Sequence, residues 1–372
     1  MATTVYLDHA STTPVDAAVI EEMRAALALV GNPSSTHVDG VWAARALELA
    51  RARVAALLAA DPDEVVFTSG GTEANNLALI GACSRGGAPS HLITSAVEHP
   101  SVLTACDWLE SLGMRVTRLP VDREGFVDPD AVRRALGPDT RLVSIGQANH
   151  EVGTIQPVDE IARVCREAGV PFHTDACQSF GRFPVPAGAL ATVNAHKIYG
   201  PKGVGALRVP PGARLAPLLF GGGQERGLRA GTPNLPGIVG FGRAAERIAE
   251  EDVNRIRRLR DLLVARVLGG VSGSWLNGSR ERRLPGNASL GFEGVSAWDL
   301  VRELDRAGIR VSRGSACSSG STAPSPVLIA LGLPAERALG VIRVSLGHGT
   351  TQEEIDRAAG AIETAVRKLR QA

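Results

Sequence analysis

Five short stretches combine residues able to do chemistry, and each closes an apolar or β-branched run. They are Gly70-Gly71-Thr72 after EVVFTS, Glu98-His99-Pro100 after HLITSAV, Asn149-His150-Glu151 after RLVSIGQA, the HTDACQ segment from His173 to Gln178, and His196-Lys197 after ATVNA. Backbone N–H groups at a helix start, with a hydroxyl beside them, form a phosphate cradle. Gly70-Gly71-Thr72 fits that description, and fits an ordinary glycine turn with a threonine cap as well. His99, before a proline-led helix, reads equally as a cap. His173, Asp175 and Cys177 alternate and would share one strand face as metal ligands do, but no fourth ligand has a sensible spacing, so no intrinsic metal is expected. A lysine near the inner end of a strand is costly unless paired or bonded. Around one crevice, a phosphate cradle, a carboxylate, an aromatic ring and a lysine point to pyridoxal phosphate. The lysine would form its Schiff base, and the carboxylate would keep its ring nitrogen protonated so that the ring accepts electrons. GPKGVG and GGGQERG match no nucleotide motif and read as turns or cofactor-adjacent loops.

A sixth stretch, VSRGSACSSGSTAPSP from Val311 to Pro326, surrounds Cys317 with residues that build no core. A long loop without structure of its own is uncommon and often functional, and few apolar anchors favour motion.

The elements that must hold these residues alternate. From about residue 65, short β-branched runs are followed by amphipathic segments, which predicts a mostly parallel sheet covered on both faces. In such sheets, ligands bind beyond the C-terminal ends of the strands. After Ala230 the character changes to a long charged helix at about 236–269, then strands near NASLGF and VIRVSLG, and a final helix opened by a Thr351–Glu354 capping box. The expected organisation is α/β: a large domain over 16–250, and a smaller α/β domain of 251–372 that recruits residues 1–15 and carries the loop at about 312–326.

Composition narrows the class. Lys+Arg 40 against Asp+Glu 39 leaves a net charge of +1, and aromatics are 4%, so neither nucleic acid nor an anionic membrane is expected as a partner. No apolar run approaches the roughly 18 residues of a spanning helix, and MATTVYLDHASTTP lacks a signal pattern. The five cysteines, 83, 106, 165, 177 and 317, contain no C-x-x-C. That argues against a disulfide framework and for a reducing cytoplasm.

Taken together, YLDHASTTP, GNPSSTH, FTSGGTEANN, EHP, NHEVGTIQP, HTDACQ, AHKIYGPKGVG, GGGQERGLRAGT, RGSACSSGS and IRVSLG, in this order, resemble the cysteine desulfurases over essentially the whole chain. These are fold-type I, class V aminotransferase-like enzymes using pyridoxal 5'-phosphate. SACSSGS is similar to the long-loop branch associated with iron–sulfur cluster assembly. The resemblance implies Lys197 as Schiff-base lysine, His99 as the ring stacked on the cofactor and moving protons, and Asp175 as partner of the pyridine nitrogen. It implies Asn149 and Gln178 at the phenolic oxygen, and Gly71, Thr72, Asn194 and His196 at the phosphate. Thr232 would reach the phosphate of the other subunit of a homodimer. Arg343 would hold the carboxylate of L-cysteine, and Asn32 would line the substrate pocket. Cys317 would take the sulfur as a persulfide, leaving L-alanine, for transfer to an acceptor such as an iron–sulfur scaffold, where it would also serve as a transient cluster ligand. The implied class is EC 2.8.1.7.

The chain departs from the family at four places: Asn194 stands where serine is usual, His150 where a second asparagine is, His9 where asparagine is common, and Arg313 where a small residue is. Arg313, if near Cys317, would lower the thiol pKa. Two other functions stay open on the sequence. One is a same-fold enzyme independent of Cys317, namely a selenocysteine lyase, kynureninase-like enzyme or aminotransferase. The other is a cofactor-free scaffold that docks partners of iron–sulfur assembly. The joint presence of Lys197, Asp175, His99 and Cys317 favours the sulfurtransferase.

Overall fold

The structure is a computed structural model that describes residues 4–84, 90–314 and 323–371. Cys317 therefore lies outside the described residues. Strands form at β1 (Val5–Tyr6), β2 (Val65–Thr68), β3 (His91–Ser95), β4 (Arg115–Leu119), β5 (Thr140–Ser144), β6 (Phe172–Asp175), β7 (Leu190–Asn194), β8 (Gly205–Arg208), β9 (Ser274–Asn277), β10 (Asn287–Phe292), β11 (Ile309–Arg310) and β12 (Val341–Ser345).

Seven of these make one sheet, ordered β2-β8-β7-β6-β5-β3-β4. The pairs from β7 through to β4 are parallel, and β8 runs antiparallel to both its neighbours. The mostly parallel sheet expected from the β/α alternation is what forms. Its inner strands are buried along almost their whole length because both faces are covered, although they carry polar residues such as His91, His173 and Thr192 among the apolar ones. In β2, Val65 and Phe67 enter a core shared with the helices Val38–Leu57 and Leu235–Ile248, whereas Val66 enters another with the helices Gly71–Cys83 and Pro100–Ser111. Alternate residues of a strand face opposite ways, so one four-residue strand feeds two cores. The buried histidine at the start of β3 is satisfied: both ring nitrogens of His91 meet hydroxyls, Thr140 at 3.0 Å and Thr117 at 2.8 Å.

Near the C-terminus, β12-β10-β9 form an antiparallel sheet, and β1 pairs in parallel with β11. Val5 and Leu7 share a core with Leu263, Leu290, Ile342, Val344 and Ile362. The final helix, Gln352–Gln371, opens with the reciprocal box read from sequence: Thr351 N–H donates to Glu354 (2.9 Å), and Glu354 N–H to Thr351 Oγ1 (3.3 Å).

One element differs from expectation. The charged helix over 236–269 is two helices, Leu235–Ile248 and Val253–Gly270. The Asp252 carboxylate accepts the Arg255 N–H at 2.9 Å and starts the second helix afresh. A short carboxylate in mid-pattern offers the backbone a cap in place of a continuing turn. No helix among the described residues is long and apolar enough to cross a membrane.

Candidate active site

The strand ends converge on a cavity of about 310 Å³ lined by Gly71, Thr72, His99, Asn149, Asp175, Gln178, Asn194, His196, Lys197 and Arg343. Asn32 and Thr232 are not brought there. Both are exposed, and the Asn32 side chain accepts the Ser34 N–H at 2.9 Å.

Two glycines shape the cradle at the start of the helix Gly71–Cys83. Gly70 has φ +152°, a conformation that side-chain-bearing residues rarely adopt. A Cβ on Gly71 would lie 2.7 Å from Cys177 Sγ and 3.3 Å from Asn194 Nδ2. The first N–H groups of that helix have no partner within the helix and are available to an anion. His196 stands beside them, and burial followed by the charge of Lys197 lowers its pKa to about 4, so the ring is neutral at pH 7.

Asp175 ends β6, and its carboxylate accepts two hydrogen bonds, from Asn75 Nδ2 at 2.7 Å and the Cys177 N–H at 2.9 Å. Asn75, absent from the sequence-based set, also lines the cavity and donates to Ser101 Oγ at 2.8 Å. One helical turn separates Asn75 from Gly71, and residues four apart share a helix face; that spacing was the signal available for it. His99 proves to be both cap and cavity residue. Its Nδ1 accepts the Ser101 N–H at 3.1 Å and lies 2.8 Å from Ser101 Oγ.

Lys197 Nζ donates to the backbone carbonyls of Ser11, at 2.7 Å, and Ala10, whose oxygen also accepts Gln178 Nε2 at 3.1 Å. Asn149 Nδ2 donates to Val97 O at 2.8 Å, and its Oδ1 accepts the N–H groups of Glu151 and Val152 at 2.9 Å each, so one amide hydrogen remains for a ligand. Arg343, in the middle of β12, is only 2% exposed. It donates to His150 O at 2.8 Å, Ser11 Oγ at 2.7 Å and Asp8 Oδ1 at 3.0 Å. A buried guanidinium needs such compensation. Asp8 and Ser11 belong to the YLDHASTTP motif, for which no residue role was read from the sequence.

The departing residues have definite places. His150 lines the cavity with its ring edge-to-face to that of His99, centroids 5.2 Å apart. Burial, and then the charges of His99, Arg343 and Lys197, hold its pKa well below the ordinary imidazole range. Arg313 places its guanidinium over the Trp298 ring, 4.5 Å from the centroid. The nitrogens of His173 meet Ser144 Oγ at 2.8 Å and Thr192 Oγ1 at 3.0 Å, so neither is left for a metal.

Glu98, beside His99, is a buried carboxyl on the cavity wall that bonds Ser95 Oγ at 2.5 Å and the Gly146 N–H at 2.9 Å. Burial foremost, and the charge of Asp175 next among the raising causes, push its pKa up to about 7. Between the unfolded value of 4.5 and about 7, the folded chain holds a proton that the unfolded chain releases. This group's contribution therefore favours folding below that window and is lost as pH rises through it. Glu98→Gln can make both hydrogen bonds without a charge. Its stability relative to the parent, measured by denaturant unfolding, should improve between pH 5 and pH 8 by up to about 3 kcal/mol.

Comparison with known proteins then decides the family. A family model described as Aminotransferase class-V matches residues 5–358. The chain belongs to that family. Within it, the chain is 46% identical to a cysteine desulfurase IscS of Dictyoglomus turgidum, covering 98% of this chain and 95% of the relative. It is also 46% identical to a mitochondrial cysteine desulfurase of Arabidopsis thaliana, covering 99% and 83%. A solved NifS-like protein superposes with a TM-score of 0.92 at 36% identity over 98% of this chain and all of that one. A structure titled SspA in complex with cysteine gives 0.84 at 37% over 94% of this chain. The chain is thus a cysteine desulfurase-family member of the pyridoxal-phosphate-dependent fold-type I class.

The cavity fits that cofactor. It gathers the N–H groups at the start of the helix Gly71–Cys83, the Thr72 hydroxyl, the Asp175 carboxylate with its two hydrogen bonds, and the Lys197 amine. Two buried amide oxygens in its wall, Asn75 Oδ1 and Asn194 Oδ1, have no partner among the described residues, as expected of a wall built around a polar occupant.

Proposed function

We propose that this protein takes sulfur from L-cysteine, releases L-alanine and holds the sulfur as a persulfide on Cys317, the reaction of EC 2.8.1.7. The observation that carries the reading is the meeting of Lys197, Asp175 and Arg343 in one cavity. Pyridoxal phosphate, when bound, supplies an electron sink that lets a proton leave Cα and the Cβ–S bond break. Gly71, Thr72, Asn194 and His196 would hold its phosphate, Asp175 would keep a proton on its ring nitrogen, Asn149 and Gln178 would meet its phenolic oxygen, and Lys197 would anchor it. His99 would stack on the ring and help move protons. Lys197 Nζ moves the Cα proton. Arg343 fixes the substrate carboxylate with a planar fork.

Cys317 is the sulfur acceptor in this reading. Support comes from the other thiols. Cys83, Cys106, Cys165 and Cys177 are all buried, and burial pushes the first three up to about 12. Burial, with the charge of Asp175, raises Cys177 well above the ordinary thiol value. None of the four offers a thiolate, which is the attacking species.

Thr232, exposed in the single chain, serves the phosphate of a second copy in a homodimer, and Asn32 lines the substrate pocket. The acceptor is a protein such as an iron–sulfur scaffold, on which Cys317 is also a transient cluster ligand, and the setting is the cytoplasm. Residues 16–250 form the cofactor domain, and 1–15 with 251–372 the smaller one.

The direct test is stoichiometric: the purified yellow protein, given L-cysteine and a thiol reductant, should form alanine and sulfide in equal amounts. A colourless protein, or cysteine left unconsumed, would sink the proposal. Arg343→Lys should raise KM for L-cysteine roughly ten- to a hundred-fold with a smaller effect on kcat, because one ammonium cannot replace a bidentate fork. Steady-state alanine assays separate the two constants.

A further inference from the structure

Backbone strain in the GGGQERG segment has no use in the roles above. In its turn Gln224–Gly227, three successive residues are left-handed: Glu225 (φ 46°, ψ 44°), Arg226 (φ 57°, ψ 30°) and Gly227 (φ 76°). Glycine takes that conformation freely, whereas a Cβ makes it costly. The segment has glycine at 221, 222, 223 and 227, yet a glutamate and an arginine occupy two of the three left-handed places. Such strain persists only where the surroundings fix it, and it gathers at functional sites.

The Glu225 side chain does the fixing. Its buried carboxylate takes both ends of the Arg51 fork, Nη2 on Oε1 and Nη1 on Oε2 at 2.8 Å each, and Oε2 also accepts the Phe67 N–H at 2.8 Å. A planar fork on a carboxylate sets orientation as well as distance. Arg51 is itself held to the frame, donating to Val65 O at 2.8 Å and to the Glu48 carboxylate. Val65 and Phe67 belong to β2, the strand that leads into Gly70 and Gly71.

The chain after the turn is tied to the same place. Arg229 Nε donates to Glu73 Oε1 at 2.9 Å, and the Gly231 N–H to Gln224 Oε1 at 3.1 Å. Glu73 lies in the first turn of the helix Gly71–Cys83 and also accepts the Ser69 N–H at 2.8 Å. Thr232 follows directly and is exposed. A pair that only tied the helix Val38–Leu57 to the sheet could end on a carboxylate of relaxed backbone. Here the pair instead holds a costly turn, and the residue presented after it is Thr232.

We propose that Glu225 is a positioning residue for Thr232. Its anchored carboxylate keeps the turn left-handed, and so holds the segment 228–232 in the one path that offers the Thr232 hydroxyl to a second copy of this chain. The inference rests on the reading that Thr232 serves the phosphate of that second copy.

The test uses the holoenzymes of Glu225→Gln, which loses the charge and the matched fork, and of the double variant Arg51→Met with Glu225→Gln. The double variant leaves no lone buried guanidinium should the single one impair folding. Arg226→Gly is the control, because it relaxes the backbone and keeps the Glu225 anchor. Equilibrium dialysis would give the affinity for pyridoxal phosphate, and for pyridoxal, which lacks the phosphate. The 31P resonance would report the environment of the bound phosphate, and gel filtration the oligomeric state.

Both Glu225 variants should weaken pyridoxal phosphate binding about ten-fold, the scale of one hydrogen bond to a charged group. Their 31P resonance should shift as it does in Thr232→Ala, and their pyridoxal affinity should match the parent. Adding Thr232→Ala should cost nothing further, since one residue acts through the other. Arg226→Gly should stay within about two-fold of the parent. Equal loss for pyridoxal phosphate and pyridoxal would reduce the pair to packing and overturn the proposal. Parental affinity in the Glu225 variants would overturn it too, as would a loss that tracks dissociation into monomers. If Thr232→Ala alone leaves affinity and resonance unchanged, the reading of Thr232 is wrong and the proposal falls with it, which is a separate failure.

Discussion

Lys197→Ala should abolish alanine formation from L-cysteine, lowering the rate by at least about 10⁴-fold, and should remove the visible absorbance of the lysine-bound cofactor. Two functions are lost with one amine. In the proposed reaction the Nζ atom would anchor the cofactor and would be the base that moves the Cα proton. The structure shows why no neighbour replaces it. Nζ is delivered to the cavity from the end of β7 and steered there by the carbonyls of Ala10 and Ser11, acceptors that cannot themselves take up a proton at neutral pH. His196, next in sequence, is neutral, bonds Thr12 through Nδ1 at 3.3 Å and belongs to the phosphate end. The cofactor spectrum and an alanine assay check the two losses separately. A variant that keeps the absorbance and the activity would mean that the cavity houses another chemistry, and would favour a scaffold that only docks partners.

Cys317→Ser should leave the cofactor spectrum unchanged and cut desulfuration by about 10³-fold or more, since a serine hydroxyl does not ionise to a sulfur nucleophile near pH 7. The chain on either side of the undescribed stretch supports a role at this cavity. On one side, Ser312 and Arg343 exchange backbone hydrogen bonds, the N–H of Ser312 donating at 3.1 Å and that of Arg343 at 2.7 Å. On the other, Ser325 Oγ donates to Glu151 at 2.6 Å, next to the cavity residue His150. Both flanks thus lie next to residues that line the cavity. Balance of the step is simple: the thiolate attacks the substrate sulfur, the Cβ–S bond breaks with its electron pair left on carbon, and a proton completes the methyl group of alanine. Alkylation of Cys317 before and after a single turnover, read by mass spectrometry, would detect the added sulfur atom. Sulfide release at the parental rate from Cys317→Ser would reject the persulfide step in favour of a lyase that ignores this thiol.

Much of the site could be read from residue order alone. His99, Asn149, Asp175 and Lys197 each follow a β-branched run, and a parallel sheet presents the ends of its strands on one edge. A sequence that alternates strand and helix therefore announces which of its polar residues will be neighbours. The same local logic found the Thr351 cap, where donor and acceptor lie three residues apart. It failed at 249–252, because the 3.6-residue pattern continues across Asp252 while the capping carboxylate restarts the helix.

Other parts depended on contacts between distant segments. Arg343 meets Asp8 and Ser11 across more than 330 residues, and Lys197 meets Ala10 across 187. Glu98 becomes a carboxyl with a pKa of about 7 only because the fold takes it out of water beside Asp175. Residue type and order by themselves determined the chemistry available to this protein: an amine, a carboxylate, a phosphate cradle and a thiol, on an α/β frame. Which side chains stand ready to use it was decided by tertiary structure, since proximity across hundreds of residues, and the loss of water that gives such contacts their strength, arise only when the cores close.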